Sequence, residues 1–321
     1  MSYTPEVITL LALNVLFFCI ATLCLFISIN ILKNWDMNTT TSLQYRLEKQ
    51  SVLVATFIKY IFILKLPLFL FFIFSVDKIS GVITGAMCAA GVVNSVDFGM
   101  YLVVLKLFNL YLFGFWLVLH VKDQKSKKRE FTKIKFWFFA VAYIFLILEV
   151  VYEFSFFNAL EIDKIVSCCG TLFSAASSSS LAVVFSLTNT QVLVLFYGMF
   201  LLHIFALFRQ DTILSLFSSI IFLIISIIAL ILFFGTYIYE LPTHHCPFCF
   251  LQKEYYYIGY IIYITLFLAT FFSFSAALME RIKESRSYKK YYMISLIFTL
   301  IFTLIISGYP LVYFLKNGVW L

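Results

Sequence analysis

The segment His244-His245-Cys246-Pro247-Phe248-Cys249 holds two of the chain's four histidines and two of its seven cysteines within six consecutive positions. A Cys-x-x-Cys pair brings two sulfurs close enough to exchange a disulfide with a partner or to share a metal ion. Three further cysteines, Cys88, Cys168 and Cys169, fall in other short segments between apolar runs. Together these five define a candidate redox relay: Cys246 attacks, Cys249 resolves, and Cys88 with Cys168 or Cys169 supplies a second pair. The same region also offers a metal site. His244, His245, Cys246, Cys249, Met87 and Cys88 form a soft donor set suited to Cu(I), and zinc accepts the same ligand types. The pattern points away from a c-type haem, because attachment needs Cys-x-x-Cys-His and Phe250 follows Cys249. A third reading is structural: a cross-loop disulfide such as Cys88 to Cys168 would staple two loops of a subunit in a larger membrane complex. Cys19 and Cys24 sit inside an apolar run and read as small packing residues.

Cys246-Pro247-Phe248-Cys249 is similar to the active-site motif of thioredoxin-like oxidoreductases, although the flanking apolar runs leave no room for a thioredoxin fold. The arrangement more closely resembles membrane thiol oxidoreductases of the DsbB and vitamin K epoxide reductase type. Those proteins place cysteine pairs in outer loops above a helical bundle that binds quinone. The resemblance covers six residues and an architecture, and the number of helices differs. It implies a quinone cofactor and a thiol-bearing protein partner on the outer side.

A second group of residues stands out by location. Lys59, Lys65, Lys106, Glu149, Glu153 and His203 all lie within apolar runs. A charge at the centre of a membrane helix costs about 2.5–3.5 kcal/mol on insertion scales, so such residues face a partner or a hydrated cavity. Lys–Glu pairing between helices satisfies that demand. The alternative is that Lys59, Lys65 or Lys106 lines a pocket for an anionic group such as a quinone oxygen. His203 reads as a hydrogen-bonded packing residue, and Asn94 or Asp97 as caps of the helix that follows.

The elements that must position these groups follow from composition. The 321 residues are 63% hydrophobic and 12% charged, against about 45–50% and 25% in soluble domains. Crossing a bilayer takes about 20 apolar residues, and the runs predict spans at Val7–Leu32, Val52–Val76, Phe98–His120, Ile134–Phe154, Gln191–Phe208, Ile213–Tyr237, Tyr256–Met279 and Tyr291–Leu315. The fold class is therefore an all-α, polytopic transmembrane bundle of about eight helices forming a single integral membrane domain over residues 1–321. Lysine and arginine fix its orientation. Alternate loops hold 16 of the 23 basic residues, from Lys33 through the Lys122–Lys135 cluster to Lys290, whereas the opposite loops and C-terminus hold only Lys78, Lys164, Lys253 and Lys316. The positive-inside rule makes the basic side cytoplasmic and both termini external. Every cysteine outside the apolar runs then lies on the outer side, where thiols become disulfides, redox pairs or metal ligands. A bacterial inner membrane with a periplasmic outer face fits this pattern, with the lipid bilayer and a periplasmic thiol or metal-carrying protein as partners. The net charge of +7 resides in topogenic loops and gives no reason to expect nucleic acid. No phosphate-binding glycine loop or Ser/His/Asp order is present.

Overall fold

The computed structural model describes residues 4–36, 39, 41–126, 129–161, 166, 187–282 and 288–321; Cys168 and Cys169 lie outside them. Every regular element among the described residues is helical. Among the described residues, eight helical stretches are long and apolar enough to cross a membrane. They are α1 (Pro5–Asn34), α2 (Ser42–Ser80), α4 (Gly99–Lys125), α5 (Thr132–Ala159), α6 (Asn189–Arg209), the stretch Thr212–Tyr239, α9 (Ile258–Ile282) and α10 (Lys289–Asn317). The stretch Thr212–Tyr239 comprises α7 (Thr212–Ala229), a π-helical turn at Leu230–Phe234 and α8 (Gly235–Tyr239). A short helix, α3 (Ala89–Asn94), precedes α4, and two 3-10 turns, Cys249–Leu251 and Lys253–Tyr255, precede α9.

The helices end where local chemistry allows. Pro5 occupies the first turn of α1, where a missing N–H costs nothing. Thr188 and Gln191 form a reciprocal capping box at the start of α6. Gln210 then takes a left-handed conformation, and the Asp211 side chain caps α7 by accepting from Leu214 N–H at 2.9 Å. This tight connection makes α6 and α7 an antiparallel hairpin. Helix α2 begins at Ser42, ten residues before its apolar run, because the polar segment through Gln50 is made of good helix formers that extend beyond hydrocarbon. Pro67 and Pro310 lie inside helices, as membrane spans tolerate.

The described chain divides into two compact units, residues 1–79 with 92–162, and residues 80–91 with 163–321. In the first unit α1 and α4 pack on α5, around Phe62, which stacks on Phe113 at 4.4 Å and meets Trp116 edge-on at 5.4 Å. In the second, α9 packs against α7 and α10, and α6 against α7. Phe196, Phe222, Phe234 and Phe302 form its buried aromatic centre. In both units burial is inverted relative to a soluble protein. Leu23, Phe26, Leu201, Phe208 and Leu304 are exposed, whereas Asn14, Lys65, Lys106, Glu149, Glu153, His203 and Ser215 are buried. A surface of bare leucine and phenylalanine, with charged and amide groups buried beneath it, needs lipid as its solvent.

Candidate metal and thiol centre

The cysteine site belongs wholly to the second unit. One wall comes from the segment after α2. Gly85 there has φ +88°, and a Cβ on it would stand 2.2 Å from the Val166 carbonyl oxygen, so only glycine allows this turn. The turn delivers Cys88 just ahead of α3. The other wall is the segment between α8 and α9. A Cβ on Gly259 would collide with the Phe250 ring at 2.5 Å, so glycine permits the Cys249–Leu251 turn to lie flat against the start of α9. Gln252 Nε2 donates to the Met87 carbonyl at 3.1 Å and ties the two segments together.

Three sulfurs converge between these walls. The Sγ atoms of Cys88, Cys246 and Cys249 all lie within 4.8 Å of one another, with Cys88 and Cys246 3.5 Å apart across 158 residues of sequence. That separation is a contact rather than the roughly 2.05 Å of a disulfide bond. The three residues are 0%, 1% and 5% exposed. Phe248 N–H donates to Cys246 Sγ at 3.4 Å, a contact suited to a metal thiolate. Two tyrosines hold the loop's backbone. The Tyr239 hydroxyl donates to the Cys246 carbonyl and accepts from Phe250 N–H at 3.1 Å, and the Tyr263 hydroxyl donates to the Pro247 carbonyl at 2.6 Å.

The two histidines separate in role. His245 Nδ1 lies 3.0 Å from the Ile231 carbonyl in the π-helical turn. His244 packs edge-on against the Tyr239 ring at 4.4 Å, and its Nε2 is buried with no hydrogen-bond partner among the described residues. Burial holds the His244 imidazole below the ordinary histidine range; the Cys88 sulfur opposes that shift and His245 adds to it. Met87, included with the candidate ligands, is 72% exposed. Cys168 and Cys169, the rest of the candidate relay, lie outside the described residues.

The intramembrane lysines occupy the other unit. Lys65 Nζ donates to Asn14 Oδ1 at 2.6 Å and Glu149 Oε1 at 3.1 Å. Lys106 Nζ donates to Glu149 Oε1 at 2.9 Å and Glu153 Oε2 at 2.6 Å. Asn14 Nδ2 donates to Glu153 Oε1 at 2.8 Å and closes a ring drawn from α1, α2, α4 and α5. Asn109 Nδ2 completes Glu149 from outside the ring at 2.5 Å. Lys59 takes no part: it is half-buried over the Tyr60 ring at 5.0 Å, with no carboxylate in ion-pair reach among the described residues. His203 behaves as a packing residue, with Nδ1 3.0 Å from Ser218 Oγ and its ring stacked on Phe222.

Sequence reasoning missed Asn14, Asn109, Tyr239 and Tyr263. Asn14 and Asn109 were detectable as lone amides within apolar runs, while nothing in the sequence singles out Tyr239 from the other 19 tyrosines. Comparison with protein-family models, curated proteins and solved structures finds no match to this chain. Fold and surface define its class directly: it is a polytopic integral membrane protein carrying a buried cluster of three cysteines.

Proposed function

We propose that Cys88, Cys246 and Cys249 bind a soft or borderline transition metal ion, and that the protein is a metal-handling component of its membrane. The observation that carries this reading is the convergence of three buried sulfurs from two distant segments within 4.8 Å. A four-coordinate ion with metal–sulfur bonds of about 2.3 Å holds its sulfurs about 3.8 Å apart, which matches the cluster. Burial favours the metal over exchange with a protein thiol, because in-line attack on a sulfur needs access. Cys249 opens a three-residue 3-10 turn rather than an α-helix, so the loop lacks the helix dipole that activates thioredoxin-like cysteines. On this reading the cluster faces the outer side of a bacterial inner membrane, within reach of a periplasmic metal-carrying protein; the bias of basic residues toward the opposite loops supports that sidedness.

Metal analysis of the full-length protein purified in detergent tests this. About one equivalent of zinc or copper per chain is expected, falling by about tenfold or more in Cys88→Ser. Wild-type protein that arrives without metal, and takes up neither ion on titration, removes the reading.

The 3.5 Å approach of Cys88 to Cys246 supports a second reading, thiol–disulfide exchange. Cys246 and Cys249 would close a disulfide as two electrons and two protons pass to a quinone or to a partner's disulfide. Lys65 and Lys106 are poor candidates for holding that quinone, since glutamates already meet both charges. A mixed disulfide trapped on Cys246 in a Cys249→Ser variant would favour exchange over metal.

A further inference from the structure

Three thiolates leave a tetrahedral ion one donor short. Among the described residues, His244 Nε2 is a buried nitrogen without a hydrogen-bond partner, on a ring packed edge-on against Tyr239, whose hydroxyl grips the Cys246 carbonyl. Resting on the metal-centre reading above, we infer that His244 is the fourth ligand and that the site is a Cys3His centre for a divalent ion of the zinc type. The imidazole stands outside the 4.8 Å circle of the three sulfurs, so side-chain rotation must accompany ligation. His245 takes the other role. If Nδ1–H donates to the Ile231 carbonyl, the ring is committed to the π-helical turn and anchors the loop from which His244 projects. It is a positioning residue.

Charge selects the ion. Three thiolates around Cu(I) leave a net charge of −2 in a buried site, whereas a divalent ion leaves −1. The surrounding rings of Tyr239, Phe250 and Tyr263 supply no positive charge to offset the larger deficit. A closed four-ligand site of this kind retains its ion. While loaded, it would clamp residues 80–91 to the segment between α8 and α9.

The test is Co(II) titration of the full-length protein, stripped of metal by chelator in detergent, followed by competition with Zn(II). The wild type is expected to show the intense visible bands of four-coordinate Co(II) with thiolate charge transfer, and Zn(II) is expected to bleach them. His244→Ala should weaken binding by about tenfold or more and change the band shape. His244→Cys should restore the four-coordinate spectrum with stronger thiolate charge transfer, and His245→Ala should weaken binding while keeping the wild-type band shape, because it removes an anchor and leaves the ligand set intact. An unchanged spectrum and affinity in His244→Ala, or a wild-type site that takes Cu(I) and refuses Co(II) and Zn(II), overturns the inference while leaving the metal centre standing. A wild-type protein that binds none of the three ions overturns both.

Discussion

Tyr239 serves two neighbours through one oxygen, donating to the Cys246 carbonyl and accepting from Phe250 N–H. Removing that oxygen strands two backbone groups in a buried loop, a loss of about 1–3 kcal/mol for each unsatisfied group. Tyr239→Phe should therefore destabilise the second unit measurably and speed thiol-reagent labelling of Cys246, whereas Tyr263→Phe, which strands only the Pro247 carbonyl, should do so less. Thermal unfolding in detergent and labelling half-times measure both, and equal effects from the two variants would refute this account of the loop. At this scale the sequence reveals reactive atoms and hides their supports. Cys246 and Cys249 are conspicuous because sulfur is rare and their spacing is meaningful. Cys88 joins them by a contact across 158 residues, which no local pattern encodes. Tyr239 is one tyrosine among many in an aromatic-rich chain, marked only by the turn that follows it.

Helices α1, α2, α4 and α5 each contribute to the charged ring of the first unit, which contains two lysines and two glutamates and is neutral as a set. That balance sets the expected response to mutation. Lys106→Met leaves buried Glu149 and Glu153 facing Lys65 alone, and removing one partner of a buried pair costs about 3–5 kcal/mol. Adding Glu153→Leu restores neutrality, so the double variant should be more stable than Lys106→Met alone, by thermal unfolding in detergent. A strictly additive loss would show that the ring is not an electrostatic unit. The sequence exposed this ring in part: a lysine in an apolar run demands a counter-charge, and Glu149 and Glu153 were the obvious suppliers. Asn14, the link that closes it, is uncharged and makes no such demand. Helix ends were less legible. Asn94 and Asp97 fit a capping pattern, yet the N-cap of α4 is Phe98, with no side-chain cap. That helix start is set by Gly99, where a Cβ would stand 2.0 Å from the Val93 carbonyl oxygen. Such backbone crowding leaves no trace beyond the glycine itself. The π-helical turn at Leu230–Phe234 is equally silent in sequence, although it presents the carbonyl that His245 meets.

Across the whole molecule, membrane residence was legible because it is a property of sums. Apolar runs of spanning length, separated by short charged loops, admit only helices in lipid, and the structure adds the inverted burial that lipid requires. Orientation rests on another sum, the 16 basic residues in one set of loops against four in the other. The positive-inside rule leads us to expect the loop between α4 and α5 in the cytoplasm and the C-terminal end outside. Cys88, Cys246 and Cys249 are poor reporters of this, since they are almost wholly buried and would resist an impermeant reagent from either side. Engineered cysteines at exposed positions avoid the difficulty. Gln124→Cys, at the end of α4, should be protected from an impermeant maleimide in intact cells and label only after permeabilisation, while Trp320→Cys should label in both conditions. The reverse pattern would place the cysteine cluster in the reducing cytosol. Disulfide exchange with an oxidising partner would then lose its compartment, while a zinc-type thiolate centre would remain chemically sound there, because metal thiolates need no oxidant.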